Sequence, residues 1–596
     1  MLDVSPKNLW TEIQAAEQFR DAHLDSLTEM VQRYAGVGYH HEYEAEWSEN
    51  HMYEFVRLTT SSVIFDNPRV RVRTRRPNPA QKLVAQAMEH ALNRWVKDTQ
   101  LQRLLKRAYV QQCFAYAVIQ TAVEPRPEAD PREPSMRQWP QCYLIPQERF
   151  YMDPLCQVFS HARYVGHKYT IDKSDLLLRA DDKGSGWNEE AIESLGDNTG
   201  VETLAHNRQR ENVDRKEIVV YETWVPEIDT DDPENGFHGT IFTTAVGGAN
   251  SAEDSEGLEI REPRAFYGPR WGPYTMFGVY PVPGDPYPLS PFAAMYTQMQ
   301  DLNDIVRASN QAIRKYKKVV VADASNPDLK KLKSAPNDFF LPIKGFDKSK
   351  IDSAEFGGIT AQHKDQQAQA LDRLDRNTGI NQTQRGEVAS GSTATEIAIA
   401  DSAKDDSLSF VKQEFNANTT QLINGVGFYL YHDDRIEFPL GEEAAESVID
   451  PETGEPMGEP WFVGGSHRSD SGARYDDLEL DPEPYSMERA NEALMRAQYN
   501  EATDFALRAA SIVPMAPFYD WKRLFDKMGE ILNDREFSEF YSPEIAGQLM
   551  GMNMAQQMAP EVPGTQQPMD ASGKGSGLPG NQTGAALSGT RSKAGV

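Results

Sequence analysis

Cysteine is nearly absent from this chain: 596 residues carry three, Cys113, Cys142 and Cys156. An odd, sparse set without C-x-x-C spacing excludes a disulfide scaffold and fits a reducing compartment. Basic charge is also scarce. Sixty-one Lys and Arg stand against 90 Asp and Glu, a net charge of −29. A chain this acidic does not coat nucleic acid over its whole surface, so any contact with DNA needs a local basic patch. No run of about 18 apolar residues occurs, and no membrane-spanning helix is expected. Met1–Pro6 has neither a basic start nor an apolar run, and no signal peptide is expected there.

Catalytic signatures are missing as well. There is no G-x-x-x-x-G-K-[ST] loop; the nearest stretch, Gly573-Lys574-Gly575, lacks the upstream glycine, so ATP hydrolysis is not expected. Neither a G-x-G-x-x-G after a strand nor a G-x-S-x-G elbow is present. His40-His41 with Glu42, Glu44 and His51 fits no zinc spacing and reads as a polar linker. Pairs such as Asp405-Asp406 and Asp476-Asp477 are expected by chance among 90 acids. Cys113 sits in an apolar helical pattern and reads as a small buried hydrophobe. No enzyme, cofactor or metal site is expected.

What is present is a chain long enough for about three or four cores, with mixed α+β patterning in which helix predominates. Two helices are expected in residues 1–64, the first opening at Ser5-Pro6 with Leu9, Ile13, Ala16, Phe19, His23 and Leu27 at helical spacing. After the turn Asp66-Asn67-Pro68, Val70–Arg75 alternates with period two, an arginine-bearing strand. Its ordinary reading is an exposed face with salt bridges; the other is nucleic-acid contact. The spacing predicts one long helix over Pro79–Phe114, strands over 116–123, 141–152 and 161–169, and a polar stretch 176–212 with one short helix. Glu217–Trp224 reads as a strand, and the acidic segment 227–262 as a loop region around a hairpin. Prolines and aromatics at 266–288 dictate extended chain.

Ser290-Pro291 opens a helix expected to run to about residue 318, with Phe292, Met295, Met299, Leu302, Ile305, Ile313 and Tyr316 as its stripe. Residues 319–360 form a small insert, 361–378 a polar helix, and 379–392 a Gly/Ser loop. A very long helix follows from Thr393 to about Tyr431. Residues 433–483 hold 16 acidic and 3 basic residues and read as strands joined by loops. Helices are expected over 486–550, and the tail 551–596 lacks the apolar content to fold alone. Against the acidic background, residues 307–350 hold 11 basic and 4 acidic residues.

The order of these elements resembles the portal protein of tailed bacteriophages. Three stretches carry the resemblance. The first is Asp66-Asn67-Pro68 with the helix and strand that follow. The second is Phe150-Tyr151-Met152-Asp153-Pro154 with Ala162-Arg163-Tyr164-Val165. The third is Gly391-Ser392-Thr393-Ala394-Thr395-Glu396-Ile397, where Thr393 and Glu396 have the spacing of a capping box.

The resemblance implies a cyclic ring of twelve subunits at one capsid vertex, with wing, stem, clip and crown around a tunnel for double-stranded DNA. On this sequence, 1–289 would be the first part of the wing, 290–318 the first stem helix, 319–360 the clip and 361–378 the second stem helix. Loop 379–392 would be the tunnel loop, 393–485 the long wing helix and acidic strand region, 486–550 the crown and 551–596 a disordered tail. Arg385, Gly386, Ser390 and Ser392 would face DNA. Arg314, Lys315, Lys317, Lys318, Lys330, Lys331 and Lys333 would form a basic patch at the stem–clip junction. The implied partners are a large terminase supplying the energy, head-to-tail adaptor and tail proteins, and major capsid and scaffolding proteins. The implied place is the virion, after synthesis in the host cytoplasm. Two other readings stand: a different ring or adaptor of the virion, and an acidic intracellular hydrolase.

Overall fold

Leu9, Ile13 and Ala16 recur at helical spacing after Ser5-Pro6, and all three are fully buried on the first helix, α1 (Pro6–Ala35). A computed structural model of the chain describes residues 5–35, 50–64, 66–75, 79–125, 138–181, 186–195, 217–226, 237–246, 257–322, 351–356, 360–378, 394–441, 461–465 and 474–483, with Ala444 and Met487. These belong to a unit spanning Met1–Ala497; the second unit, Gln498–Val596, lies outside the described residues. The expected crown helices and tail therefore lie outside them too.

The second helix, α2 (His51–Val63), starts at Asn50, whose side chain accepts the Tyr53 N–H at 3.0 Å. Strand β1 (Val70–Thr74) buries Val70 and Val72 and turns Arg71 and Arg73 the other way. The helix expected over 79–114 is two, α3 (Pro79–Thr99) and α4 (Leu101–Phe114). Gln100 between them is left-handed (φ 51°, ψ 48°). Asn67 Oδ1 accepts the Gln102 N–H at 2.9 Å, satisfying one donor that the new helix start leaves open. Apolar spacing runs across the break, which hides it from periodicity.

Next come β2 (Ala117–Pro125) and β3 (Gln138–Ile145). The strand expected over 141–152 is also split: Pro146 and a 3-10 turn at Gln147–Arg149 carry the chain into a different sheet at β4 (Phe150–Met152). Another 3-10 turn, Phe159–His161, delays β5 to Val165–Asp172. Two short helices follow rather than one, α5 (Lys173–Ala180) and α6 (Glu189–Ser194).

Strands β6 (Glu217–Val225), β7 (Phe237–Ala245) and β8 (Leu258–Tyr267) complete a five-stranded antiparallel sheet in the order β4-β5-β6-β7-β8. Strand alternation separates its faces. Tyr221 and Val225 meet α1, whereas Ile218 and Val220 meet Leu176 of α5 and Ile192 of α6. Strand β9 (Tyr274–Phe277) pairs with β2 to make the sheet β3-β2-β9, and β10 (Tyr280–Val282) pairs with β11 (Asp285–Leu289).

Helix α7 (Pro291–Arg314), strands β12 (Lys317–Ala322) and β13 (Ile351–Phe356), and helices α8 (Ala361–Thr378) and α9 (Ala394–His432) follow. Three short strands close the described chain: β14 (Glu437–Pro439), β15 (Trp461–Val463) and β16 (Leu478–Pro482).

The main core gathers α2, α3, α4, the start of α7 and the second half of α9 around Trp95, Tyr109, Tyr116, Phe292 and Phe415, all at 2% exposure or less. Strand β16 lies antiparallel to β1 and ties residue 482 to residue 70. That register sets Arg71 opposite Asp481 and Arg73 opposite Glu479, and Glu483 takes ion pairs from Arg69 and Arg71 at 3.8 and 3.9 Å. The arginine strand is thus matched by the acidic segment of its own chain. The fold is a mixed α+β architecture, and every strand pairing among the described residues is antiparallel.

Candidate nucleic-acid interface

Ser290 caps α7: its Oγ accepts the N–H groups of Phe292 (3.1 Å) and Ala293 (3.3 Å) and donates to the Cys113 carbonyl at 2.9 Å. Pro291 occupies the first helical position, where no N–H is needed. The cap thereby fastens the helix to the end of α4. Over the first half of α7, Phe292, Met295, Met299, Leu302 and Val306 are buried, and Phe292 meets Phe114 edge-on at 5.0 Å.

Farther along, the helix leaves the core. Ile313 is 51% exposed and Tyr316 45%. Both were expected to continue the buried stripe; the described residues of this unit leave about half of each side chain uncovered. The helix stops at Arg314, four residues short of expectation, and the Lys315 N–H closes on Gln311 O at 3.0 Å. Lys317 and Lys318 therefore belong to a strand and not to a helix end. The β-branched run Val319-Val320-Val321 favours this pairing.

β12 and β13 form an antiparallel hairpin whose register sets Lys317 opposite Phe356 and Lys318 opposite Glu355. Thr360 then opens α8, its Oγ1 lying 2.6 Å from His363 Nδ1. α8 returns along α7. Among its described side chains it is polar almost all round: Leu374 alone of these is fully buried, with Ala370 and Leu371 half-buried. The result is a helix–hairpin–helix finger.

Two guanidinium groups of the finger are held within their own helices, Arg307 by Asp304 at 3.6 Å and Arg376 by Asp372 at 2.7 Å. Such exposed pairs add about 0–1 kcal/mol each. Arg314 and Lys315 stand exposed at the C-terminal end of α7, where the helix dipole favours cations.

Of the expected site residues, the structure therefore brings Arg314, Lys315, Lys317 and Lys318 to the junction of α7 with β12. Lys330, Lys331 and Lys333 lie outside the described residues, as do Arg385, Gly386, Ser390, Ser392 and Thr393 of the expected loop and cap. Glu396 falls in the first turn of α9. The histidines and acids at 40–44 are also outside. Among the described residues no group of three metal-binding side chains occurs, and no helix is long and apolar enough to cross a membrane. Asp477, one of the paired acids, accepts the Arg474 N–H at 3.4 Å in a 3-10 turn. Sequence reading missed the exposure of Ile313 and Tyr316. The available signal was their flanking by Arg314, Lys315, Lys317 and Lys318.

No family model matches this chain, and no curated protein matches it. Among solved structures, a chain from the virion of a native gene transfer agent particle is similar over 87% of this chain and 99% of its own, with 10% identity and a TM-score of 0.35. A TM-score at that level establishes neither a shared fold nor a shared role.

Proposed function

We propose that this chain is the subunit of a closed ring through which double-stranded DNA enters and leaves a viral capsid, a portal at one vertex. One observation carries the reading beyond the sequence resemblance. The finger α7-β12-β13-α8 leaves the core with Ile313 and Tyr316 about half exposed and with a second helix that is polar almost all round among its described side chains. A helix that is polar all round either bridges between bodies, is held by its own i,i+4 pairs, or is unstable alone; among the described residues α8 has one such ion pair, Arg376–Asp372, which favours the first. In a ring, the neighbouring copy is that body.

In this reading the protein is passive and not an enzyme. A separate terminase ATPase drives the DNA, and the ring offers it, and later the head-to-tail adaptor and tail proteins, a docking surface. Capsid and scaffolding proteins hold the rim. The acidic chain repels phosphate, so DNA slides and does not stick, because every neutralised phosphate adds affinity. The basic α7–β12 junction, with Arg314, Lys315, Lys317 and Lys318, supplies local attraction for DNA or for an acidic docking partner. Arg385, which lies outside the described residues, is assigned to DNA in this reading.

Light scattering of the purified chain with negative-stain images of the same peak tests the proposal. Twelve copies of 67.0 kDa give about 800 kDa and end-on rings with a central hole. A particle that stays near the subunit mass at high concentration, with crowding agent and without rings, overturns it.

A further inference from the structure

A cavity of about 530 Å³ lies where the sheets β3-β2-β9 and β4-β5-β6-β7-β8 meet the turn after α9. It falls within the range of small-ligand sites, about 300–1,000 Å³. The charges on its walls are Glu222 and Arg264 from the larger sheet, and Asp433, Asp434 and Arg435 from the turn. Three carboxylates against two guanidinium groups leave a net negative charge. Trp224, Tyr267 and Tyr274 contribute aromatic wall.

The partners of these groups decide what the cavity lacks. Asp433 is buried and already satisfied. Its Oδ1 accepts the Arg435 N–H at 3.0 Å, and Gln138, with its amide turned to suit both neighbours, donates to Oδ2 at 2.7 Å and accepts from Arg435 at 3.2 Å. Tyr274 has its hydroxyl 2.7 Å from His167 Nδ1.

Glu222 is held more loosely. Its side chain is 14% exposed, yet Arg264 approaches only to 3.6 Å from a half-exposed position, and the Tyr169 hydroxyl donates at 3.4 Å. A sequestered carboxylate with long contacts beside aromatic rings is a recognition element for an organic cation, combining charge-assisted hydrogen bonds with cation–π attraction.

We propose that this cavity binds a cationic head on an alkyl stem, of the alkylguanidinium or alkylammonium class, with Glu222 as counter-ion and Arg264 as the group that competes with the ligand for it. Such a head comes either from a small free amine or guanidine or from an Arg or Lys side chain of another polypeptide.

Calorimetric titration of the full chain with n-butylguanidine and with an acetyl-Ala-Arg-Ala-amide peptide tests this. n-Butanol serves as neutral control. We expect saturable binding of the cation and none of the alcohol. Glu222→Gln should weaken binding at least tenfold, and Arg264→Ala should tighten it several-fold by freeing Glu222. General damage to the cavity would weaken both variants, so affinities that move in the same direction overturn the proposal. So does the absence of saturable binding by either cation in the wild-type chain. Binding of butylguanidine alone assigns the site to a small free organic cation; binding of the peptide as well assigns it to a side chain of another polypeptide.

Discussion

Replacing Ile313 and Tyr316 by glutamine should leave the subunit folded and weaken the ring. Each side chain is about half exposed, so its own fold has realised only part of its burial. Full burial of a large apolar side chain is worth about 1.5–3 kcal/mol, which leaves about 1 kcal/mol per residue for a neighbouring copy to collect. Two residues give about 2 kcal/mol per seam, roughly a 30-fold change in the seam's association constant. The cost to the fold is smaller, within about 0.5 kcal/mol, because exposed positions tolerate substitution. Glutamine is chosen over aspartate because an anion at the end of α7 would oppose the helix dipole and confuse the two effects. Light scattering across a dilution series reads the seam, and a circular-dichroism melt reads the fold. An unchanged concentration threshold for ring formation refutes the reasoning, since the seam would then not cross the finger. A large drop in melting temperature refutes it differently, by showing that the pair stabilises the subunit itself.

Other consequences follow from individual residues. Gln100 is left-handed, a conformation costing L residues about 1–2 kcal/mol. Gln100→Gly should therefore hold or raise stability in urea unfolding, while β-branched Gln100→Val lowers it. Gln147 is buried and donates from Nε2 to the carbonyls of Gln111 (2.9 Å) and Tyr116 (2.5 Å). Gln147→Leu removes both donors, and the same assay should show a loss of about 2–4 kcal/mol. Burial alone would raise the Asp153 pKa, but hydrogen bonds from the Arg163 guanidinium (2.7 Å) and the Leu155 N–H (2.9 Å) outweigh it and hold the carboxyl below its ordinary range. Its contribution is thus present above the unfolded value of about 3.9 and is lost as pH falls through the lower folded value. The stability gap between wild type and Asp153→Asn should be constant from neutral pH to about pH 5 and close at lower pH.

How far the sequence reaches depends on where the determinants of each element lie. Leu9, Ile13 and Ala16 face the interior of their own chain, and their spacing alone places α1. Cys113 lies buried where its apolar helix predicts, with the thiol pKa pushed up by burial. The arginine strand was legible as a strand but not as a partner of β16, because pairing across some 400 residues leaves no local mark. Breaks at Gln100 and Pro146 were missed for a related reason: the first is accommodated by Asn67, more than 30 residues away, and the second moves the chain between sheets without interrupting its apolar run. At the candidate interface, composition located the basic residues, while the end of α7 was misjudged. Ile313 and Tyr316 keep a helical apolar spacing that promises burial, and no partner within the described chain supplies it.

That mismatch predicts where stability comes from. Most helical stability in proteins comes from packing an apolar face, and among the described side chains of α8 only Leu374 is fully buried. Its contact with α7 stabilises it in part. If a neighbouring copy supplies the rest, protection of its backbone should depend on assembly. Amide hydrogen exchange over 361–376, compared between dilute subunit and assembled ring, measures this directly. Exchange in the dilute sample should proceed through local opening, with protection well below that of α3, whose Trp95 and Leu92 are fully buried. In the ring the same amides should slow by at least tenfold while those of α3 stay unchanged. Equal protection of α8 in both samples would mean that the finger is complete within one chain, and its exposed residues would then need an occupant other than a second copy.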